Sequence, residues 1–201
     1  MPKVVNRDAR RHHVVEALFR VVVRDGLQRA SLRVVADEAA LNIGSVRHYF
    51  ADQQDLMRFA MTSMLERVSA RITARVSQLA DVQSHSREDQ IAIAVDILSE
   101  LLPLDQERRT EATVFLDFVT AARTNPAFAD LAHQSAEGTR KLIHRILARL
   151  HPESPLDLET ERLTALLDGL TLNGVLQPQL LDPGTTTAVL QRHLSQVSQY
   201  A

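Results

Sequence analysis

The stretch Ser31 to Phe50, SLRVVADEAALNIGSVRHYF, constrains the fold of this chain more than any other. Leu32, Val35, Ala36 and Ala39 recur at helical spacing, so a first short helix buries one stripe. Ser31 offers a hydroxyl to the unpaired amides of its first turn. Ala40, Leu41 and Asn42 form a tight corner, and Asn42 caps a second short helix. Val46 and Phe50, four apart, give that helix an inward stripe, which leaves Ile43, Gly44, Arg47 and His48 on its outward face. Two short helices at a corner, the second with a basic outer face, match a helix-turn-helix whose second helix enters a DNA major groove.

The rest of the chain reads as helix. A helix from Arg7 carries Val14, Leu18, Val21 and Val22 on one stripe and stops at Asp25-Gly26, while Met1 to Asn6 reads as a loose terminus. Arg7, Arg10 and Arg11 crowd its start, where acids are the usual choice, which points either to an external anion or to a solvated charged end. A long helix from Asp52 to about Leu79, on the order of 40 Å, places Leu56, Phe59, Ala60, Met64, Leu65, Val68, Ile72 and Val76 inside. Asp81 to His85 is a polar break. Further helices start at Ser86, Asp105, Asn125-Pro126, Ser154-Pro155 and Pro183-Gly184. The expected fold class is all-α, with about nine helices and no strand: a head of residues 1–51 on a helical body of residues 52–201.

The net charge of -2 hides an asymmetry. Residues 1–50 hold nine Lys and Arg against five Asp and Glu; the remainder holds fourteen against twenty. A basic end on an acidic body suits a polyanionic partner for the first fifty residues. There is no cysteine, so disulfides and thiolate zinc sites are excluded. No apolar run approaches the roughly 20 residues needed to span a bilayer, and no secretory leader is visible, so the expected location is the cytoplasm.

Across Val14 to Leu56, with SLRVVADEAALNIGSVRHYFADQQDL at its centre, the chain resembles the TetR family of bacterial transcriptional regulators. The later segments ERRTEATVFLDFVTAARTNPAF and LLDGL are similar to the BetI-like branch. The resemblance implies a homodimer whose two heads enter successive major grooves of an inverted-repeat operator on double-stranded DNA. It also implies a body that pairs through its last two long helices and takes an unknown small-molecule effector. By position it assigns Ser31, Arg33, Gly44, Ser45, Arg47, His48, Tyr49 and Gln53 to the DNA. Gly44 permits close approach, Ser45 and Tyr49 can donate to phosphate, and Arg47 can fork onto guanine or hold a phosphate. Two positions depart from the pattern. Ala40 stands where the family has Gly, at a cost of about 1 kcal/mol if φ is positive. Gln53 stands where a phosphate-holding Lys is usual, which removes one charge per head.

In the body, the resemblance implies a pocket, with Leu98, Leu102, Phe115, Phe118 and Asn173 as candidate lining. Gly169 and Gly174 interrupt one helix, and close approach of another helix explains them. A dimer seam of Leu166, Gly169, Leu170, Leu190, Leu194 and Val197 follows. His133, Arg140 and His144 share one helix face as a weak anion or metal candidate against plain surface histidines. No Glu has a His three residues later, and no phosphate loop, HExxH or GxSxG occurs, so neither catalysis nor a cofactor nor a metal is expected. The leading reading is a homodimeric repressor that binds a palindromic operator and is released by a small-molecule effector; an activator or ligand-independent regulator of the same fold, a helical-bundle enzyme and a protein-only adaptor are the alternatives.

Overall fold

The computed structural model describes residues 7–77 and 86–197. The expected loose terminus and the Asp81 to His85 break lie outside them. Among the described residues the chain forms nine α-helices and no strand: α1 (Arg7–Asp25), α2 (Leu32–Glu38), α3 (Ile43–Tyr49), α4 (Gln53–Ser77), α5 (Arg87–Ser99), α6 (Gln106–Ala122), α7 (Ala129–Leu150), α8 (Leu156–Leu176) and α9 (Pro183–Gln196). Short 3-10 turns cover Leu27–Arg29 and Pro126–Phe128.

Local chemistry sets the boundaries. Ser86 accepts from the Asp89 amide while the Asp89 carboxylate accepts from the Ser86 amide, so both ends of a capping box start α5. Asn125 caps the 3-10 turn that leads into α7. Asp182 caps α9 through the Thr185 amide, with Pro183 at the first helical position. Ser154 does not cap α8: its hydroxyl donates to the His151 carbonyl at 2.6 Å.

The chain divides into two compact units, and the division departs from a boundary at residue 51. One unit runs to Leu65 and includes Thr113–Ala132; the other comprises Glu66–Ala112 and the chain from His133. Thus α4 and α6 each contribute to both. The first unit, the head, is built on Val14, Leu18, Phe19, Val35, Val46, Phe50, Leu56 and Met61, joined by Phe118 and Phe128 from the later segment. Those two rings lie 5.0 Å apart. Asp117 accepts the Leu27 amide at 3.1 Å, and Arg58 forks onto Asp130 with two bonds of 2.7 Å. The Arg58 guanidinium holds the exposed Asp130 carboxyl at about 2, well below its ordinary value.

The second unit, the body, centres on Leu98, Leu102, Ile143, Leu147, Leu163, Leu167, Leu190 and Leu194. Its side of α4 is held by charge. Glu100 and Glu111 are buried, and Arg71 meets both: 3.0 Å to Glu100, and 3.1 and 2.6 Å to Glu111. Arg75 adds Glu100 at 3.1 Å and Asp96 at 3.0 Å. The sequence reading placed Val68, Ile72 and Val76 inside; Val68 and Ile72 are half-buried and Val76 is exposed, because arginines occupy the inward positions here. Gly174 is explained within the subunit, since a Cβ there would stand 2.7 Å from the Pro103 ring. Its neighbour Gly169 meets nothing within 4 Å.

The corner between α2 and α3 carries the one strained non-glycine among the described residues. Ala40 has φ 54°, in the left-handed region. Its methyl group is exposed, so removing it sacrifices no packing. Ala40→Gly is expected to stabilise the protein by about 1 kcal/mol, read as a higher urea midpoint at unchanged slope.

Candidate nucleic-acid interface

The two helices of the motif are capped as their sequence requires. Ser31 accepts the Val34 amide at 3.3 Å, and Asn42 accepts the Ser45 amide at 2.7 Å. Within the corner, the Leu41 amide donates to the Ala36 carbonyl at 2.9 Å. Val46 and Phe50 are fully buried and anchor α3 from beneath. Its opposite side presents Gly44, Arg47 and His48 to solvent, with Ser45 and Tyr49 half-buried beside them. Ile43, expected outside, packs partly against the head core instead. The His48 and Tyr49 rings meet edge to face at 5.2 Å. Arg33 is exposed on α2, and Gln53 is half-buried at the start of α4. Neither Arg33 nor Arg47 forms an ion pair or hydrogen bond among the described residues. A guanidinium carries only donors, so both are free to bond acceptors such as phosphate oxygens or the edge of guanine.

Other arginines of the head are already engaged. Arg20 and Arg24 each bond Glu38 at 2.7 Å, tying α1 to the end of α2. The Arg20 hydrogen bond, followed by that of Arg24, pushes the Glu38 carboxyl below its ordinary range. Arg11, read above as a candidate anion seeker, lies over the Phe59 ring at 3.7 Å and 5.2 Å from the Phe50 ring. That stacking gives it a place within the head; Arg7 and Arg10 remain exposed. Sequence reasoning also missed His13, whose Nε2 donates to the Ala39 carbonyl at 2.9 Å and so braces the corner. The partners are 26 positions apart, and no local pattern announces such a contact.

The five candidate pocket residues divide between the two units. Leu98 and Leu102 are sealed in the body core, whereas Phe118 and the half-buried Phe115 belong to the head core. Asn173 is exposed and donates to the Gly169 carbonyl one turn back at 2.8 Å. The dimer candidates also divide. Leu190, Leu194 and Val197 are 0, 0 and 4% exposed and fill their own subunit's core, so they are not available to a seam. Leu166, Gly169 and Leu170 do line an open groove of about 400 Å³ with Ala165, Asn173, Gln177, Leu180 and Leu181. On the histidine face, Arg140 is committed to Glu161 at 2.7 and 3.1 Å and His133 lies 3.3 Å from Glu137, while His144 lines an open surface pocket with Arg140, Lys141 and Arg145. No metal-holding group of three or more His, Asp or Glu side chains occurs among the described residues, and no described helix is long and apolar enough to cross a membrane.

A capped, corner-braced helix with an unpartnered guanidinium on its outer face, carried by a helical body, defines a class: helix-turn-helix DNA-binding proteins of all-α build. Comparison with known proteins narrows it. Residues 91–199 match the family described as BetI-type transcriptional repressor, C-terminal. The chain is 32% identical to the HTH-type transcriptional regulator PksA of Bacillus subtilis (strain 168), over 98% of this chain and 94% of that one. A transcriptional regulator from Rhodococcus sp. Rha1 superposes with TM-score 0.80 at 27% identity, covering 94% of this chain and 96% of that one. The multidrug binding protein EbrR, solved with imidazole, superposes with TM-score 0.60 at 29% identity, covering 92% and 89%. The chain belongs to the TetR family of DNA-binding transcriptional regulators, with a BetI-type C-terminal domain.

Arg11→Ala should lower the stability of the folded protein by about 1 kcal/mol through loss of the ring contacts. It should leave the salt slope of DNA binding unchanged, whereas a phosphate contact would reduce the slope by about one; urea titrations and binding at several salt concentrations read the two separately.

Proposed function

We propose that the protein is a homodimeric repressor that binds a palindromic operator and is released by a small-molecule effector. The outer face of α3 carries this reading: Arg47 is exposed, held on a helix anchored by buried Val46, and has no partner among the described residues. Arg47 reads a base; Arg33, Ser31, Ser45, Tyr49 and Gln53 contact the backbone, and Gly44 and His48 lie against the groove. Binding falls steeply with salt because guanidiniums displace counterions from phosphate. The protein works in the cytoplasm without catalysis, cofactor or metal.

The dimer forms on α8. Leu158, Arg162, Ala165, Gly169, Leu172 and Leu176 follow one another at alternating spacings of four and three, the spacing of a helix–helix seam. Leu158, Leu172 and Leu176 are 60, 45 and 65% exposed in the single chain, a large apolar stripe for a surface. Ala165 and Gly169 sit at its middle, where small residues let a second helix approach. This accounts for a glycine whose absent Cβ meets nothing in its own subunit. EbrR has been solved with imidazole and with proflavin, which supports an organic effector here. Leu98 and Leu102 stay candidates for its pocket, reached by displacing packed core side chains.

Selection of bound genomic fragments near physiological salt is expected to enrich an inverted repeat. Arg47→Ala should lose that enrichment while melting within about 0.5 kcal/mol of the parent. No enrichment from folded protein, with or without cell extract, would sink the operator reading. Independently, Leu172→Glu combined with Leu176→Glu should yield a folded monomer by light scattering; a persisting dimer would move the seam elsewhere.

A further inference from the structure

His151, just past the end of α7, is 3% exposed and uses both ring nitrogens. Arg87, the first residue of α5, brings its Nη2 to 2.9 Å from Nδ1, and the same guanidinium donates to the Leu150 carbonyl at 3.2 Å. A guanidinium only donates, so Nδ1 must present its lone pair. The ring is therefore the neutral Nε2–H tautomer, and that N–H donates to the Leu194 carbonyl of α9 at 2.9 Å. One buried imidazole thus relays a hydrogen bond from α5 to α9 across the end of α7.

A proton on Nδ1 would turn acceptor into donor against a donor, and would set a second cation beside Arg87 on a ring that is itself buried. We propose that His151 is an acid-sensitive latch of the body, whose protonation breaks the Arg87–His151–Leu194 relay and releases the end of α9 from α5 and α7. The response needs no small molecule, and it is separate from operator recognition.

The neighbours on each packed element bear on the sign. Arg87 on α5 opposes the added charge, and Glu159 on α8 favours it. His193 on α9 stands near Glu159, Arg162 and His151 itself, and is half-buried. Burial is the largest influence on His151 and, with Arg87, holds it below its ordinary 6.5. The folded protein then binds fewer protons than the unfolded chain. Stability from the neutral ring is fully present above pH 6.5 and is lost as pH falls from there toward the folded value. His193 is depressed in the same direction, chiefly by burial and then by Arg162, so the two must be separated.

Amide exchange of α9, corrected for intrinsic rate, separates them in the full-length protein between pH 7.5 and 5.5. In the parent, opening should rise below pH 6.5 by up to about tenfold per pH unit, the limit for one linked proton. His151→Gln, whose amide can accept from Arg87 and donate to Leu194 but cannot titrate, should stay flat. His193→Gln should keep the parental response. A flat parent, a steep His151→Gln or a flat His193→Gln would each overturn the latch. Should His151→Gln fail to fold, nitrogen NMR of the parent decides: an Nε2–H tautomer at pH 7.5 that titrates below 6.5 together with opening supports the latch, and an Nδ1–H tautomer or titration at or above 6.5 refutes it.

Discussion

Two carboxylates, Glu100 and Glu111, are buried in the body and face arginines of α4. A buried carboxylate without a partner is untenable, so the geometry of Arg71 is imposed by the core and not chosen at the surface. Arg71 gives Glu111 two parallel bonds and Glu100 a third, which fixes the rotation of α4 as well as its position. The first half of the same helix is held differently, by Leu56, Met57, Ala60, Met61 and Met64 in the head core. One helix therefore obeys two sets of rules along its length.

This explains where sequence reasoning succeeded and where it failed. Short-range chemistry was legible: Ser31, Asn42, Ser86 and Asn125 all cap as their residue types require. The strain at Ala40 was signalled only by the family resemblance, which has Gly at this corner, and the left-handed φ of 54° bears it out. The inward stripe of α4 was extended too far, since apolar periodicity carries no record of a helix whose buried face changes from methionine to arginine. The same blindness assigned Leu190, Leu194 and Val197 to a seam: a leucine stripe announces burial but not by whom.

The candidate interface was legible for a related reason. Arg47 and His48 lie within four residues of the buried anchor Val46 and the terminal Phe50, so one local pattern fixes both faces of α3. What lay beyond the pattern was support at a distance. His13 bracing the corner, Glu38 gathering Arg20 and Arg24, and Arg11 stacked on Phe59 each join residues far apart in the chain. These contacts decide which arginines are spent inside the head and which are left for a partner. Charge counting over the first fifty residues treats them alike.

The segment Thr113–Ala132 also changes what counts as a module. Phe118 and Phe128 complete the hydrophobic core of the head, Asp117 caps its first 3-10 turn, and Asp130 holds Arg58. A fragment ending near residue 51 would expose the apolar faces those groups cover and strand the Leu27 amide. The DNA-reading part of this chain is therefore not an interchangeable cassette. Any chimera that moves its specificity onto another body must carry the middle of α6 and the start of α7, or inherit matching residues there.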